Sequence, residues 1–454
     1  MSTYVPSWVK TDATRFPRVL IQPNSGSRPK MTEVLSPFSP ACMQADTKAF
    51  VALMTHLKEK DKAGMVIMMQ VENEVGILGD SRDRSGLASR VFDSAVPESF
   101  LNKLCADHDK LNSIIRSNFP PLTTLSVQRG KSWAETFGTS LQTDEMFMAY
   151  HYALYIEHVA SAGRKVYEMP MFTNAWLRSD DEATAAGGGN APGMYPSGGP
   201  IETVIDIWQT FAPTLDFLSP DIYHNDYETM WREYSHRGQP LFIPEQRRDE
   251  FGALRIWQAI GDYRAICTSP FGIDTLDPAN SPFTRHYTLL KATEQHILTA
   301  RSEGRKMTGF YFDRFEKGQP NPSKPKVVTM DDWKLTITPA KVFGHPEPGY
   351  GLIIQQSQPD TFLLIGEGYQ VGFLSTSSTS GFTGILGFDE KEVVDEETGK
   401  MRTLRRLNGD ETQGGKQVMM PSANPDYGGF AIAITIPGKT RIAECRVYSL
   451  AETS

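Results

Sequence analysis

Two glutamates in this chain each close an apolar run. GMVIMMQVENEVG carries Glu74 near its end, and QPLFIPEQ carries Glu245. Two carboxyl groups facing one pocket supply a proton donor together with a nucleophile or base, the pair that cleavage of a glycosidic bond requires. Carboxylates distant in sequence reach one pocket when each sits at the C-terminal end of a strand in a parallel α/β array. Asn73 stands beside Glu74, where an amide can bond a sugar 2-hydroxyl. Arg247 and Arg248 follow Glu245. They either pair with Asp249 or Glu250, or keep Glu245 ionised as a nucleophile requires. Spacing leaves one ambiguity. Glu72 shares the alternation parity of Glu74, so periodicity cannot choose between them. A strand-end glutamate is most often only solvated or paired with an arginine, so the local motif has to decide.

The elements that must position these residues recur along the chain. Residues 44–62 predict a helix with Phe50, Leu53, Met54 and Leu57 on one face. The run ending at Glu74 reads as a strand buried on both faces. Helical stretches at 97–117 and 143–163 precede VYEMPMFTNAW, and a helix near 200–212 precedes LDFLSPDIYHND. Further helices near 227–236, 251–261 and 286–304 flank QPLFIPEQ and RAICTSPFGID. The strand ends carry Asn73 and Glu74, Asn174 and Trp176, Tyr223 and His224, Glu245, and Phe271. Residues 1–43 read as an irregular segment.

After about residue 306 the helical period gives way to short alternating segments: WKLTITPAKVF, YGLIIQQS, DTFLLIGEGYQVGFL, GGFAIAITI and TRIAECRVYSL. The expected fold class is therefore α/β, a (β/α)8 TIM-barrel-type catalytic domain followed by an all-β sandwich-like domain. The expected division is a barrel domain over 1–305, a linker over 306–326 and a β-rich domain over 327–454, with GQPNPSKPK as the linker core. DEKEVVDEETGK reads as a solvated hairpin.

Composition narrows the function classes. The 46 basic and 54 acidic residues give a net charge of −8, and no basic block suits nucleic acid. No apolar run reaches membrane-span length, and the opening residues lack the apolar core of a signal peptide. A cytoplasmic location is expected for the sequence as written, with secretion open if a leader precedes it. Cys42, Cys105, Cys267 and Cys445 form no C-x-x-C pair and read as reduced and mostly buried. No His/Cys/Asp grouping has metal-ligand spacing, so no metal or cofactor is expected. A carbohydrate is the expected partner, and oligomeric state is not readable.

QVENEVG at 70–76 resembles the QxENEYG signature of glycoside hydrolase family 35, the β-galactosidases, with Val75 at the usual tyrosine. FIPEQRRDEFG at 242–252 is similar to the nucleophile strand of the subfamily with an uncharacterised β-rich C-terminal domain. YPSGGP, PDIYH and SPFGID look like the same subfamily. The resemblance implies a retaining glycosidase cleaving terminal β-galactosides, with Glu74 as acid/base and Glu245 as nucleophile. It also implies that the sequence enters the barrel after the third strand, so that strands one to three are absent. The rival expectation is a non-catalytic carbohydrate-binding protein or an inactive remnant. Asn73, Asn174, Trp176, Tyr223 and Phe271 are the expected substrate-binding residues. Trp176 and Tyr223 offer flat faces for a pyranose or serve as ordinary packing, and Asn174 bonds sugar hydroxyls or caps a helix. His224 is expected to be structural, and Trp133 and Trp257 core or rim. The Gly-rich loop 184–200 lacks a P-loop lysine and reads as a mobile pocket wall.

Overall fold

Phe172 and Phe217 stack and Phe242 tilts against both, with ring centroids 4.8–5.4 Å apart. They mark where three apolar runs of the sequence meet. In the computed structural model, which describes residues 4–22, 26–118, 129–179, 189–224, 226–314, 324–346, 348–407, 409–433 and 435–452, these runs belong to the first of two compact units, Met1–Gln246 and Arg247–Ser454.

The first unit opens with α1 (Ser7–Lys10) and an antiparallel pair, β1 (Arg18–Ile21) and β2 (Lys30–Leu35). The expectation of an irregular opening segment is thus corrected by a hairpin. α2 (Pro40–Lys60) follows, started by Ser39, whose side chain accepts from the Cys42 amide, and by a proline in its first turn. Then come β3 (Met69–Gln70), α3 (Gly86–Phe92), α4 (Glu98–Ala106), α5 (Ser113–Asn118), α6 (Trp133–Phe137), α7 (Leu141–Val166), β4 (Met171–Trp176), α8 (Ile205–Phe211), β5 (Phe217–Ile222), α9 (Tyr227–Tyr234), β6 (Phe242–Ile243) and β7 (Glu245–Gln246). β3, β4, β5 and β7 form a parallel sheet in that order. α7 buries Phe147, Tyr150, Ile156 and Val159 and packs along α2. Of the predicted α2 stripe, Met54 is buried and Leu53 is exposed.

The run before Glu74 departs most from expectation. Only Met69 and Gln70 are strand, and Met65 and Ile67 are 79% and 70% exposed. β3 is an edge of the sheet, bonded to β4 alone. An apolar run beside a sheet edge lacks the second neighbour that would bury it.

The second unit contains α10 (Glu250–Gly261), β8 (Cys267–Thr268), α11 (Pro282–Ser302), β9 (Met307–Phe312), β10 (Lys326–Met330), β11 (Trp333–Pro339), β12 (Gly349–Gln355), β13 (Thr361–Glu367), β14 (Tyr369–Ser375), β15 (Ser380–Asp395), β16 (Lys400–Arg406), β17 (Gln417–Met420) and β18 (Ile442–Ala451). The strands build antiparallel sheets in the orders β16-β15-β18-β13-β12-β9 and β10-β11-β14-β17. Leu335, Ile337, Val371 and Val418 of one sheet share a core with Phe362, Leu364, Phe388 and Val447 of the other. α10 and α11 bury Leu254, Trp257, Leu289 and Ile297 against Leu352, Ile354, Leu363 and Ile365.

The division between units falls at Gln246/Arg247, not near 305, because these two helices pack on the antiparallel sheet. Residues 307–312, expected within the linker, are its edge strand β9. The approach is close: a Cβ on Gly309 would lie 1.9 Å from the Trp257 carbonyl oxygen. GQPNPSKPK falls mostly outside the described residues. GGFAIAITI forms no strand among its described residues, and Phe430 and Ile432 are exposed. The β15–β16 hairpin exists, but Asp389 and Glu390 at its base are buried instead of solvated.

Candidate active site

The parallel register brings the ends of β4, β5 and β7 level. Trp176 stands opposite Asp221, and Asp221 opposite Glu245. Glu74 lies just past β3. One carboxylate oxygen from each of Glu74, Asp221 and Glu245 is within 4.8 Å of the other two. The two glutamates chosen from the sequence therefore share one site, together with a third carboxyl that sequence reasoning missed. Asp221 lies in the quoted segment PDIYH, and its signal was present: an aspartate inside an otherwise apolar strand that ends level with Glu245.

A network of amides fixes the cluster. Asn174 is 2% exposed. Its Oδ1 accepts from the Glu74 backbone amide and from Gln70 Nε2, both at 3.0 Å. Its Nδ2 donates to Asp221 Oδ2 at 2.6 Å and to Asn73 Oδ1 at 3.1 Å. Both ends of the Asn174 amide are engaged by protein, so it holds the site together and caps no helix. Asn73 is exposed and donates to Glu74 Oε2 at 3.5 Å, a long contact. Tyr223 donates its hydroxyl to Glu245 Oε1 at 2.9 Å.

The backbone answers the parity question between Glu72 and Glu74. Both take left-handed conformations, with φ of 60° and 44°, so strand alternation does not apply to them. Glu72 bonds Asp46, and burial together with the Glu72 charge pushes the Asp46 carboxyl up to about 8. This second pair lines a cavity of about 200 Å³ with Trp8, Phe16, Cys42 and Tyr155, and Glu74 lines it as well. Glu74 meets Asp221 and Glu245.

Burial, then the Glu245 charge, raises the Glu74 pKa. Burial also raises that of Glu245, against the Tyr223 hydroxyl, which lowers it. Asp221 is raised well above the usual carboxylate range by burial and by the charges of Glu245 and Glu74. Burial and the Glu245 charge push the Tyr223 phenol upward as well, so it remains a donor. Arg247 turns to Asp249, with its Nε 3.1 Å from Oδ1. Two of the cluster's oxygens already accept hydrogens from Asn174 and Tyr223. The donor set is three acids with no imidazole or thiolate, which can share protons among themselves or offer oxygens to a hard divalent cation.

Trp176 is half-buried and His224 is buried. Phe271 belongs to the second unit, where it is exposed. Trp133 and Trp257 are fully buried. The described part of the Gly-rich loop is tied to the segment after Glu74. Ile77 and Ser197 form a β-bridge, and a Cβ on Gly199 would lie 2.4 Å from the Val75 carbonyl oxygen. Residues 184–188 of that loop lie outside the described residues. Among the described residues, no helix is long and apolar enough to cross a membrane. Cys42 and Cys445 are buried, and Cys105 and Cys267 partly so.

Comparison with known proteins adds two findings. A family model described as "Domain of unknown function (DUF5597)" matches residues 283–419, within the second unit. Among solved structures, the chain is similar to the catalytic domain of β-amylase from Paenibacillus polymyxa. The TM-score is 0.38 and the identity 10%, over 60% of this chain and 71% of that chain. No curated protein matches the chain.

Proposed function

We propose that the first unit is a glycoside hydrolase of retaining type, with Glu74 as acid/base and Glu245 as nucleophile. The observation that carries this reading is the approach of their carboxylate oxygens within 4.8 Å at the ends of a parallel sheet. Retaining enzymes hold their two carboxyls roughly 5–5.5 Å apart, whereas inverting enzymes leave a wider gap for water. The environments also differ in the required sense. Glu74 carries the extra burden of the Glu245 charge, which favours its protonated form, while the Tyr223 hydroxyl favours the ionised form of Glu245.

In this reaction Glu245 attacks the anomeric carbon as Glu74 protonates the departing oxygen. Glu74, now ionised, then takes a proton from the water that releases the sugar from Glu245. Asn73, Trp176 and Tyr223 are the residues offered to the sugar. A terminal β-galactoside is the first substrate to try, on the strength of QVENEVG. The test is turnover of chromogenic β-glycosides by the purified chain, with Glu245→Gln as blank and product anomers followed by NMR. Retained configuration supports the reading. Inversion, or turnover no faster than the blank on every glycoside, overturns it. Saturable sugar binding without turnover would replace it with a carbohydrate-binding role.

A further inference from the structure

Asp221 has no part in the reaction just described, yet it is the most deeply buried of the three acids, at 2% exposure. Its Oδ2 accepts from Asn174 Nδ2. Its Oδ1 is buried and, among the described residues, meets no N–H or O–H donor. One oxygen of the Asp221 carboxyl lies within 4.8 Å of one of the Glu74 carboxyl, and the electrostatics of both groups couple them by a side-chain hydrogen bond. Two carboxyl groups can bond in this way only when one of them carries the proton. The titratable groups facing Asp221 are Glu74, Glu245, Tyr223 and Tyr234, and none of them is a cation at any pH. Among these groups no cation offsets a charge on Asp221, and the Asn174 amide is set against burial and two neighbouring carboxylates.

We propose that Asp221 is a permanently protonated positioning residue that donates its O–H to Glu74 through the whole catalytic cycle. The reservation of Oδ2 for Asn174 leaves the opposite oxygen to carry the proton. When Glu74 gives its own proton to the leaving oxygen, the Asp221 O–H remains to stabilise the new carboxylate. When Glu74 takes a proton from water, that carboxylate is neutralised again. The Asp221 proton is never transferred, so the balance of the reaction is unchanged. Neutral acids kept as donors in apolar sites are an attested catalytic device. The catalytic part of this inference rests on the glycosidase reading, whereas the protonation state does not.

Two measurements separate them. Asp221→Asn preserves a donor toward Glu74 and an acceptor toward Asn174 without any charge. Asp221→Leu removes both. The alkaline limb of the kcat/KM profile should stay within about 0.3 pH unit of wild type in Asp221→Asn. Asp221→Leu should lose about ten- to hundredfold in kcat with KM changed less than about threefold, and its limb should move upward. An Asp221→Asn limb shifted down by about one unit or more would mean that a negative charge had been removed, and would overturn the proposal. The second measurement needs no substrate. Difference infrared spectra at neutral pH, in the Glu74→Gln background, should show a protonated-carboxyl C=O band that Asp221→Asn abolishes. Absence of that band overturns the proposal even if the enzyme turns over. Its presence in a protein inactive on every glycoside sustains the protonation state and fails only the proposed function.

Discussion

Two buried carboxyl sites in this molecule face opposite electrostatic problems. At the base of the β15–β16 hairpin, Glu390 is 3% exposed. Its Oε1 accepts from the amides of Lys439 and Thr440 at 2.8 and 2.9 Å, and Oε2 meets Arg405. Burial acts against its charge, but the two amides and the guanidinium outweigh burial and hold the carboxyl below its usual range. Glu74, Asp221 and Glu245 are gathered with each other, and their pKa values rise. Enclosure thus accompanies a depressed carboxyl pKa in one unit and raised ones in the other. Neighbours decide the outcome, and burial alone does not. A structural carboxylate is given donors enough to stay ionised, and a chemical one is given too few.

The comparison breaks most sharply at Glu245. Glu245→Gln should lower turnover of any accepted glycoside by about 10⁴-fold or more. It should also stabilise the fold, because a carboxyl with a raised folded pKa weakens the native state as pH climbs from the unfolded value, about 4.3, through the folded one. The variant's melting temperature should therefore exceed wild type at pH 8, and the gain should vanish below about pH 4. A melting temperature equal or lower at pH 8 would contradict the assignment of a raised pKa.

Tyr223→Phe removes the donor at Glu245. It should cost about ten- to hundredfold in kcat, since a hydrogen bond to a charged group contributes about 1.5–3 kcal/mol. Steady-state kinetics check this, and an unchanged kcat would place the hydroxyl outside the mechanism.

Glu390→Gln should act on stability with the opposite sign to Glu245→Gln. Its depressed pKa contributes stability present above the unfolded value and lost as pH falls through the folded one. The variant should lose about 2 kcal/mol near pH 7 by urea unfolding. The deficit should shrink on acidification.

The smallest effect is expected at Glu72, which bonds Asp46. Glu72→Gln should leave kcat/KM within about threefold of wild type, whereas Glu74→Gln loses its activity most on substrates with poor leaving groups. Equal losses in the two variants would show that the Glu72–Asp46 pair is coupled to the chemistry.

One side of this contrast is legible in the sequence, and the Glu390 side is not. Glu74 and Glu245 followed from their motifs and from apolar runs that stop at a polar end. The helices of the first unit and most β-rich segments followed from period. Other features depend on partners that a linear pattern does not name. Burial of Met65 and Ile67 was inferred from an apolar run, but burial requires a neighbouring strand, and β3 has one only on its β4 side. α10 and α11 carry the same helical period as the helices before them, yet they pack on the antiparallel sheet, because their apolar faces specify burial and not a particular cover. Asp221 is legible as an acid inside an apolar strand but not as a third carboxyl of the site, because only the pairing of β5 with β7 sets it opposite Glu245.

The left-handed turn through Glu72 and Glu74 also sets a direction for sequence drift. At each position glycine adopts the observed φ without the roughly 1–2 kcal/mol that a side chain adds. A selection for thermal tolerance alone would favour glycine at both. A selection for turnover would forbid it at 74 and be nearly silent at 72. In a library randomised at the two codons, the ratio of glycine recovered at 72 to glycine recovered at 74 therefore becomes a meter of which pressure acts on the protein.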